Sequence, residues 1–310
     1  MKTSQLIKNL QRPTGKIDVI LDTDAYNEID DQFAIAYMFA NGDKLNVKAI
    51  YAAPFYFPEM NQKSQSAADG MARSYDEILN VLSMINGAEK VKKDVYKGSD
   101  AFLQDDQTPV HSPAAEHLAN MAMNYTQERP LYVVAIGAIT NIASAILLKP
   151  EITRRIVVVW LGGHAFHWPD TKEFNMYQDM AAARVVFNSG TPLVQLPCHG
   201  VVSAFTVSAA ELNQWLVGKN AISHYLATNT IDEVTYAKGK PWSRVIWDVT
   251  AIAWLIDEEE RFISDCLMTC PIPQDSGHYS HGIDRHFMKY VYHIHRDALV
   301  DDLFKKLLSL

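Results

Sequence analysis

The chain has 310 residues, of which 48% are hydrophobic and 21% charged, and its net charge is −8. That length suffices for a sizeable core, and the acidic balance argues against a nucleic-acid binder, which would show a basic face. Three cysteines, Cys198, Cys266 and Cys270, form no CxxC pair, which argues against a disulfide scaffold or a thiolate zinc site and fits a reducing, cytoplasmic compartment.

In chain order, the opening stretch MKTSQLIKNLQRPTGK lacks the apolar core of a secretory signal. No run of about 18 apolar residues follows anywhere, so no membrane span is expected. Residues 16–21 (KIDVIL) predict a strand, and 31–40 a helix with Phe33, Ala34, Tyr37 and Met38 on one face. A second strand is predicted at 47–53 and a helix at 67–85. Residues 131–136 (LYVVAI) and 156–161 (IVVVWL) read as buried strands with a helix at 140–148 between them. A helix at 180–188 stops at Ser189-Gly190 before a short strand at 193–196. Beyond Pro197, helices are expected at 209–217, 221–229 and 245–256, a late strand at 287–294 and a helix at 297–308, with a loop at 270–281. The alternation predicts an α/β fold: one mostly parallel sheet with helices on both faces and a helical carboxyl-terminal elaboration, in a single domain over 1–310.

The densest chemical feature is Asp22-Thr23-Asp24-Ala25-Tyr26-Asn27-Glu28-Ile29-Asp30-Asp31, between the first strand and the first long helix. In a parallel sheet, ligands bind at the carboxyl ends of the strands, where this segment falls. Carboxylates so crowded repel one another unless a cation sits among them, and a hard ion held by oxygens, calcium or magnesium, answers that need. The offsets do not match an EF-hand. A plainer possibility is that Asp30 or Asp31 only caps the helix.

These residues and several later segments resemble the nucleoside hydrolases, the calcium-dependent ribohydrolases that include the inosine-uridine-preferring enzymes. The family opens with a strand followed by DxDxxxDD; here Asp22-x-Asp24 is followed by five residues and then Asp30-Asp31, two more than usual. Gly137-Ala138-Ile139-Thr140-Asn141-Ile142-Ala143 looks like the family's GPLTNIA, and Leu161-Gly162-Gly163 looks like its MGG. Glu173-Phe174-Asn175-Met176 is similar to its EFN segment, with Asp179-x-x-Ala182-Ala183 following as in DPEAA. Asp248, in Ile246-Trp247-Asp248-Val249, stands where the family has a late aspartate at a helix start. The likeness runs from about Lys16 to the carboxyl terminus, and its strength lies in the order of five motifs.

The resemblance implies a nucleoside hydrolase-like, Rossmann-related fold and hydrolysis of the N-glycosidic bond of a ribonucleoside to free base and ribose. It implies that Asp24, Asp31 and Asp248 hold a Ca2+ ion together with the backbone carbonyl of Ile136, and that Asp24 deprotonates the attacking water. Asp30, Glu173 and Asn175 would hold the ribose hydroxyls, and Asp22 would support the others from beneath. If their segment is extended, Glu173 and Asn175 share one face. Cleavage should pass through an oxocarbenium-like sugar, which carboxylates around the ring stabilise. No GxxxxGK[ST] loop and no arginine-rich segment accompanies these motifs, so a neutral nucleoside fits better than a nucleotide. The implied partners are a small-molecule nucleoside and further copies of the chain, as a dimer or tetramer; no nucleic acid or membrane is implied.

Many members carry a histidine before the late aspartate to help the leaving base; here Trp247 stands there. Indole does not titrate usefully but can stack on a flat base, for roughly 1–3 kcal/mol, which favours a purine. The alternative for Trp247 is core packing. Trp168 and His167 could line the base side, and His111 falls roughly where the family has a histidine-glycine motif. A family asparagine after the second strand has no counterpart: Ala53-Pro54-Phe55 stands there, and Asn61 comes several residues too late. Two rival functions remain at this point. A haloacid-dehalogenase-like phosphatase would use Asp22 and Asp24, and would release phosphate. A non-catalytic nucleoside or ribose binder on the same fold would bind without turnover.

Overall fold

A computed structural model describes residues 1–60, 62–234, 237 and 239–310; Asn61 lies outside the described residues. A short helix, α1 (Thr3–Asn9), which no sequence expectation covers, leads to β1 (Ile17–Thr23). Next come α2 (Asp30–Ala40), β2 (Leu45–Ala52), α3 (Ala67–Ser83), β3 (Val95–Lys97), α4 (Pro113–Met121), β4 (Leu131–Ala135) and α5 (Thr140–Leu148). They are followed by β5 (Ile156–Leu161), the single-turn α6 (Phe174–Tyr177), α7 (Met180–Asn188) and β6 (Leu193–Leu196). Ser66 and Ser112 begin α3 and α4 by accepting the Asp69 and Ala115 backbone N–H groups, the N-cap geometry favoured by serine.

The carboxyl-terminal third adds β7 (Thr206–Ser208), α8 (Ala209–Trp215), α9 (Ala221–Glu233), β8 (Ser243–Val245) and α10 (Val249–Ile256). It ends with β9 (Ile263–Thr269), β10 (Ile272–Gln274), β11 (His278–Ser280), β12 (Phe287–Ile294) and α11 (Arg296–Leu307). Eight strands form one sheet in the order β3-β2-β1-β4-β5-β6-β12-β9. Every neighbouring pair is parallel except β12 with β9 at the edge.

Strand side chains alternate between two cores. Val19, Leu21, Val134, Val157 and Val159 join the apolar faces of α2, α3, α9, α10 and α11. Ile20, Val133, Val158 and Trp160 face α4, α5 and α7. Burial on both faces explains why these strands read as unbroken apolar runs. Among the described residues no helix is long and apolar enough to cross a membrane.

Three local expectations need correction. Residues 245–256 are not one helix: Ser243–Val245 pairs antiparallel with Thr206–Ser208, and the helix begins only after Asp248. The β-branched Val245 thus extends a ribbon rather than a helix. The segment at 270–281 holds the β10–β11 hairpin, turned by Gly277 at φ +75°. β9 was not anticipated; its Ser264, Asp265 and Cys266 blur the alternation that marks a half-buried strand.

A buried ionic cluster fastens the segment before β1 to this region. Arg12 Nη1 lies 2.6 Å from Asp257 Oδ2, and its Nη2 lies 3.1 Å from Asp265 Oδ2. Asp257 also accepts the N–H groups of Arg261, Phe262 and Ile263, while Asp265 accepts from Trp254 Nε1 and pairs with Lys289.

Candidate active site

The site sits at the carboxyl ends of β1, β4, β5 and β6, and is built from the loops that leave them. Asp22, in the last turn of β1, lies beneath it. Its Oδ1 accepts from Asn141 Nδ2 at 2.7 Å, and its backbone carbonyl accepts from Ile136 N–H at 2.9 Å. Asn141 in turn accepts from the Ser99 amide and hydroxyl, at 2.8 and 2.9 Å. Burial pushes the Asp22 carboxyl up to about 8 despite the Asn141 bond. Asp22 does not line the pocket, so an aspartyl nucleophile at that position has no access to substrate.

Past β1 the chain turns tightly, the Asn27 N–H donating to Asp24 O at 2.7 Å, and α2 then begins at Asp30. Neither Asp30 nor Asp31 serves as the cap of α2: the N-cap position is Ile29, and no side chain bonds there. Both carboxylates instead turn into the pocket, where the amide dipoles of the first turn favour negative charge. The Thr23 hydroxyl donates to Asp31. Asp248, at the start of α10, likewise makes no capping bond. One carboxylate oxygen each from Asp30, Asp31 and Asp248 lies within 4.8 Å of the others.

Asp24 stands beside this trio, its Oδ1 pressed against Gly137: a Cβ at position 137 would come within 2.8 Å of it. That close approach explains the glycine. The four carboxylates are 1–3% exposed, and among the described residues Asp24 Oδ2 and Asp30 Oδ1 have no hydrogen-bond partner. Burial first, and mutual repulsion second, raise the carboxyls of Asp24 and Asp248 well above the usual range. Asp30 is raised by burial and then by Glu28 and Asp31. Burial lifts Asp31 to about 7 against the pull of the Thr23 hydroxyl.

Orphaned buried carboxylate oxygens are costly unless protonated or bound to a cation. An all-oxygen donor set at this density fits a hard divalent cation. Asp30, Asp31 and Asp248 lie close enough together to share one, Asp24 stands beside them, and the Ile136 carbonyl borders the same pocket. That carbonyl accepts from Asn175 Nδ2 at 3.1 Å, which leaves one of its two lone pairs. The tightest trio therefore contains Asp30 in place of the expected Asp24.

Glu173 and Asn175 reach the pocket by a route other than the expected one. The segment is not extended: Glu173 caps α6, accepting from the N–H groups of Asn175, Met176 and Gly163 at 2.9, 3.0 and 2.9 Å. Asn175 occupies the first turn of that helix and donates to the carbonyls of Ile136 and Leu161, both at 3.1 Å. Its amide oxygen is thereby aimed away from both carbonyls. Burial raises Glu173 to about 7 although the three amides pull it down.

Trp247 is half-buried, lines the pocket and also packs on the core. His199 meets it edge-on at 5.4 Å, and Trp168 stacks on His199 at 5.3 Å. Trp168 is thus a rim residue outside the pocket lining, as is His167, which packs against the loop at Gly200. His111 is not brought to the site. It immediately precedes the cap of α4, points outward and bonds Glu116 at 3.1 Å. The sequence analysis missed His164, Cys198 and His199, which follow β5 and β6 and line the pocket. Position after a strand end was the available signal. A larger concavity, about 990 Å3, lies at the amino ends of the strands around Arg12, Lys16 and Arg129, and holds none of the expected residues.

The raised carboxyls fix a pH dependence for the metal-free protein. Asp22, Asp31 and Glu173 keep protons in the folded state up to about pH 7–8, whereas an unfolded chain releases them near pH 4. The folded state therefore binds more protons between about pH 4 and 8, and stability falls as pH rises across that range. A divalent cation held among these carboxylates would require their ionised forms, so the thermal shift from added calcium should be larger at pH 8.5 than at pH 6.5. Thermal unfolding with chelator and with excess calcium, at both pH values, checks this; an equal shift would refute it.

Comparison with known proteins bears on the family and the fold. A family model described as inosine-uridine preferring nucleoside hydrolase matches residues 19–290. The pyrimidine-specific ribonucleoside hydrolase RihA of Salmonella typhimurium is 30% identical over 157 residues, covering 49% of this chain and 50% of the relative. The chain thus spans about half the length of the curated relatives it matches. Among solved structures, the inosine-uridine preferring nucleoside hydrolase of Bacillus anthracis is similar with a TM-score of 0.69 at 15% identity, covering 95% of this chain and 100% of that one. The purine-preferring ribonucleoside hydrolase of Gardnerella vaginalis gives 0.66 at 20% identity, covering 94% and 98%. Such likeness shows a shared fold, and the family match extends from the first strand into the last, so the chain belongs to the inosine-uridine preferring nucleoside hydrolase family.

Proposed function

We propose that the chain hydrolyses the N-glycosidic bond of ribonucleosides, using a calcium ion held by Asp24, Asp31 and Asp248, with Asp30 and the Ile136 carbonyl beside them. The carrying observation is the set of four buried carboxylates, two with orphaned oxygens, gathered next to Glu173 and Asn175. The ion would supply the positive charge that fixes and acidifies water. Asp24 is the residue that takes the proton, because its carboxylate is buried, raised and without a partner on Oδ2. Glu173, Asn175 and Asp30 hold the ribose hydroxyls: all three line the pocket, and Asp30 Oδ1 is unpartnered among the described residues. The negative charge of Glu173 and Asp30 also stabilises the cationic sugar as the bond to the base lengthens.

On the base side, Trp247, His199 and Trp168 make a continuous aromatic surface. Stacking area grows with ring size, which supports purines over pyrimidines; the RihA relatives are named pyrimidine-specific and the Gardnerella structure purine-preferring. The Trp247→Ala variant should lose about tenfold or more in kcat/KM for inosine and adenosine, and less for uridine and cytidine. An equal loss would return Trp247 to a packing role. The same reading carries a purine-salvage role in the cytoplasm and a dimeric or tetrameric assembly.

The deciding experiment is a panel of ribosides incubated with calcium or with chelator, reading free base and reducing sugar. Both should appear with calcium and cease with chelator. Phosphate release from a nucleotide, or tight nucleoside binding without turnover, would overturn the proposal.

A further inference from the structure

Two loops that leave adjacent strands are joined so as to hold one imidazole in place. The Cys198 N–H donates to Gly163 O at 2.8 Å, and the Ala165 N–H donates to His199 O at 3.0 Å. Between them, the His199 N–H donates to Nδ1 of His164 at 3.2 Å, while the His164 N–H donates to Thr171 Oγ1 at 3.0 Å. The bond to Nδ1 assigns the tautomer: Nδ1 accepts, so the neutral ring carries its hydrogen on Nε2. The residue is 7% exposed and lines the same pocket as Glu173 and Trp247. Burial, and then the neighbouring His199, push the His164 imidazole down to about 4, so the ring is neutral at pH 7. Among the described residues no acceptor engages Nε2–H, although the rest of the residue is bonded on both sides.

We infer that His164 is a specificity-determining residue whose Nε2–H donates a hydrogen bond to an acceptor atom on the departing base. This inference rests on the N-ribosyl reading above. As the bond to the sugar lengthens, negative charge accumulates on the base, and a fixed neutral donor holds that charge better than the ground state. Trp247, at the position where many relatives have a histidine, offers a ring face rather than a titrating nitrogen. The donor comes instead from the loop after β5. His164 keeps its own hydrogen; the one that ends on the free base derives from the attacking water by way of solvent. The two-sided clamp matters because a donor held in one orientation requires no reorganisation during the reaction.

The test compares two leaving groups on one sugar. One substrate is whichever of inosine, adenosine, guanosine, uridine and cytidine the wild type cleaves fastest. The other is p-nitrophenyl β-D-riboside, whose phenolate departs without such help. In His164→Leu, the ratio of nucleoside to p-nitrophenyl riboside kcat/KM should fall about 30- to 100-fold, the worth of one hydrogen bond to developing charge. His164→Gln, which keeps a donor near the Nε2 position, should recover part of that ratio, and thermal unfolding of each variant reports its folding. A ratio that moves less than threefold in His164→Leu, or equal ratios in the Leu and Gln variants, overturns the inference. Failure of the wild type to cleave any of these ribosides with calcium present overturns the underlying reading instead.

Discussion

The Asp24→Asn variant is expected to lose about three orders of magnitude or more in kcat at saturating calcium while keeping its fold. The amide has the shape of the carboxylate, so it fits against Gly137, where the approach is already tight. It carries no charge and accepts no proton, so both the proposed deprotonation of water and the proposed contact with the cation are impaired; general-base removal alone is worth roughly 10²–10⁴. Stability should move the other way. Asp24 is buried among Asp30, Asp31 and Asp248, and replacing a carboxyl whose ionisation burial and those neighbours oppose removes that cost from the metal-free protein. The variant should therefore melt no lower than the wild type in chelator, and should gain less from calcium. Steady-state rates and paired thermal scans measure both. Activity within tenfold of wild type would remove Asp24 from the role assigned to it.

The second large effect lies away from the site. Arg12→Met should cost about 3 kcal/mol of unfolding free energy, at the low end of the 3–5 kcal/mol typical when one partner of a buried pair is removed. Arg12 is 8% exposed on its side chain, and Asp257 and Asp265 are 1% exposed, so water cannot replace the guanidinium. The low end applies because neither carboxylate is left bare. Asp257 retains three backbone N–H donors, and Asp265 retains Trp254 Nε1 and Lys289. Urea unfolding measures the loss, and Arg12→Met combined with Lys289→Met should lose more than the sum, since Asp265 would then have no cation. A loss below 1 kcal/mol for Arg12→Met would mean that the cluster adds little.

The parallel sheet was legible because strands buried on both faces are written as apolar runs, as at 131–136 and 156–161. The edge strand β9 was not, since an edge interleaves polar residues and its pairing with β12 is set by distant sequence. The candidate site divides along the same line. Asp22, Asp24, Asp30 and Asp31 stand in one segment and Asp248 carries a recognisable neighbourhood, so a family likeness could reach all five. What single residues do within the site depends on the local turn. Glu173 and Asn175 arrive through a capped helical turn rather than an extended strand. His164 and His199 carry no motif, and become visible only when the loops after β5 and β6 are laid side by side. His111 misled because likeness of position along the chain says nothing about which way a side chain leaves the start of α4.

Gly163 touches both halves of the pocket at once. Its N–H holds Glu173 and its C=O receives the Cys198 N–H, and a side chain there would collide with Tyr279 and Thr171. Under the proposed assignments, the residues for the sugar and those for the base are therefore mechanically linked through a single residue. Attempts to evolve a new base preference by reshaping the 197–200 loop should disturb sugar affinity in step, whereas changes confined to the outer face of Trp168 should leave it alone.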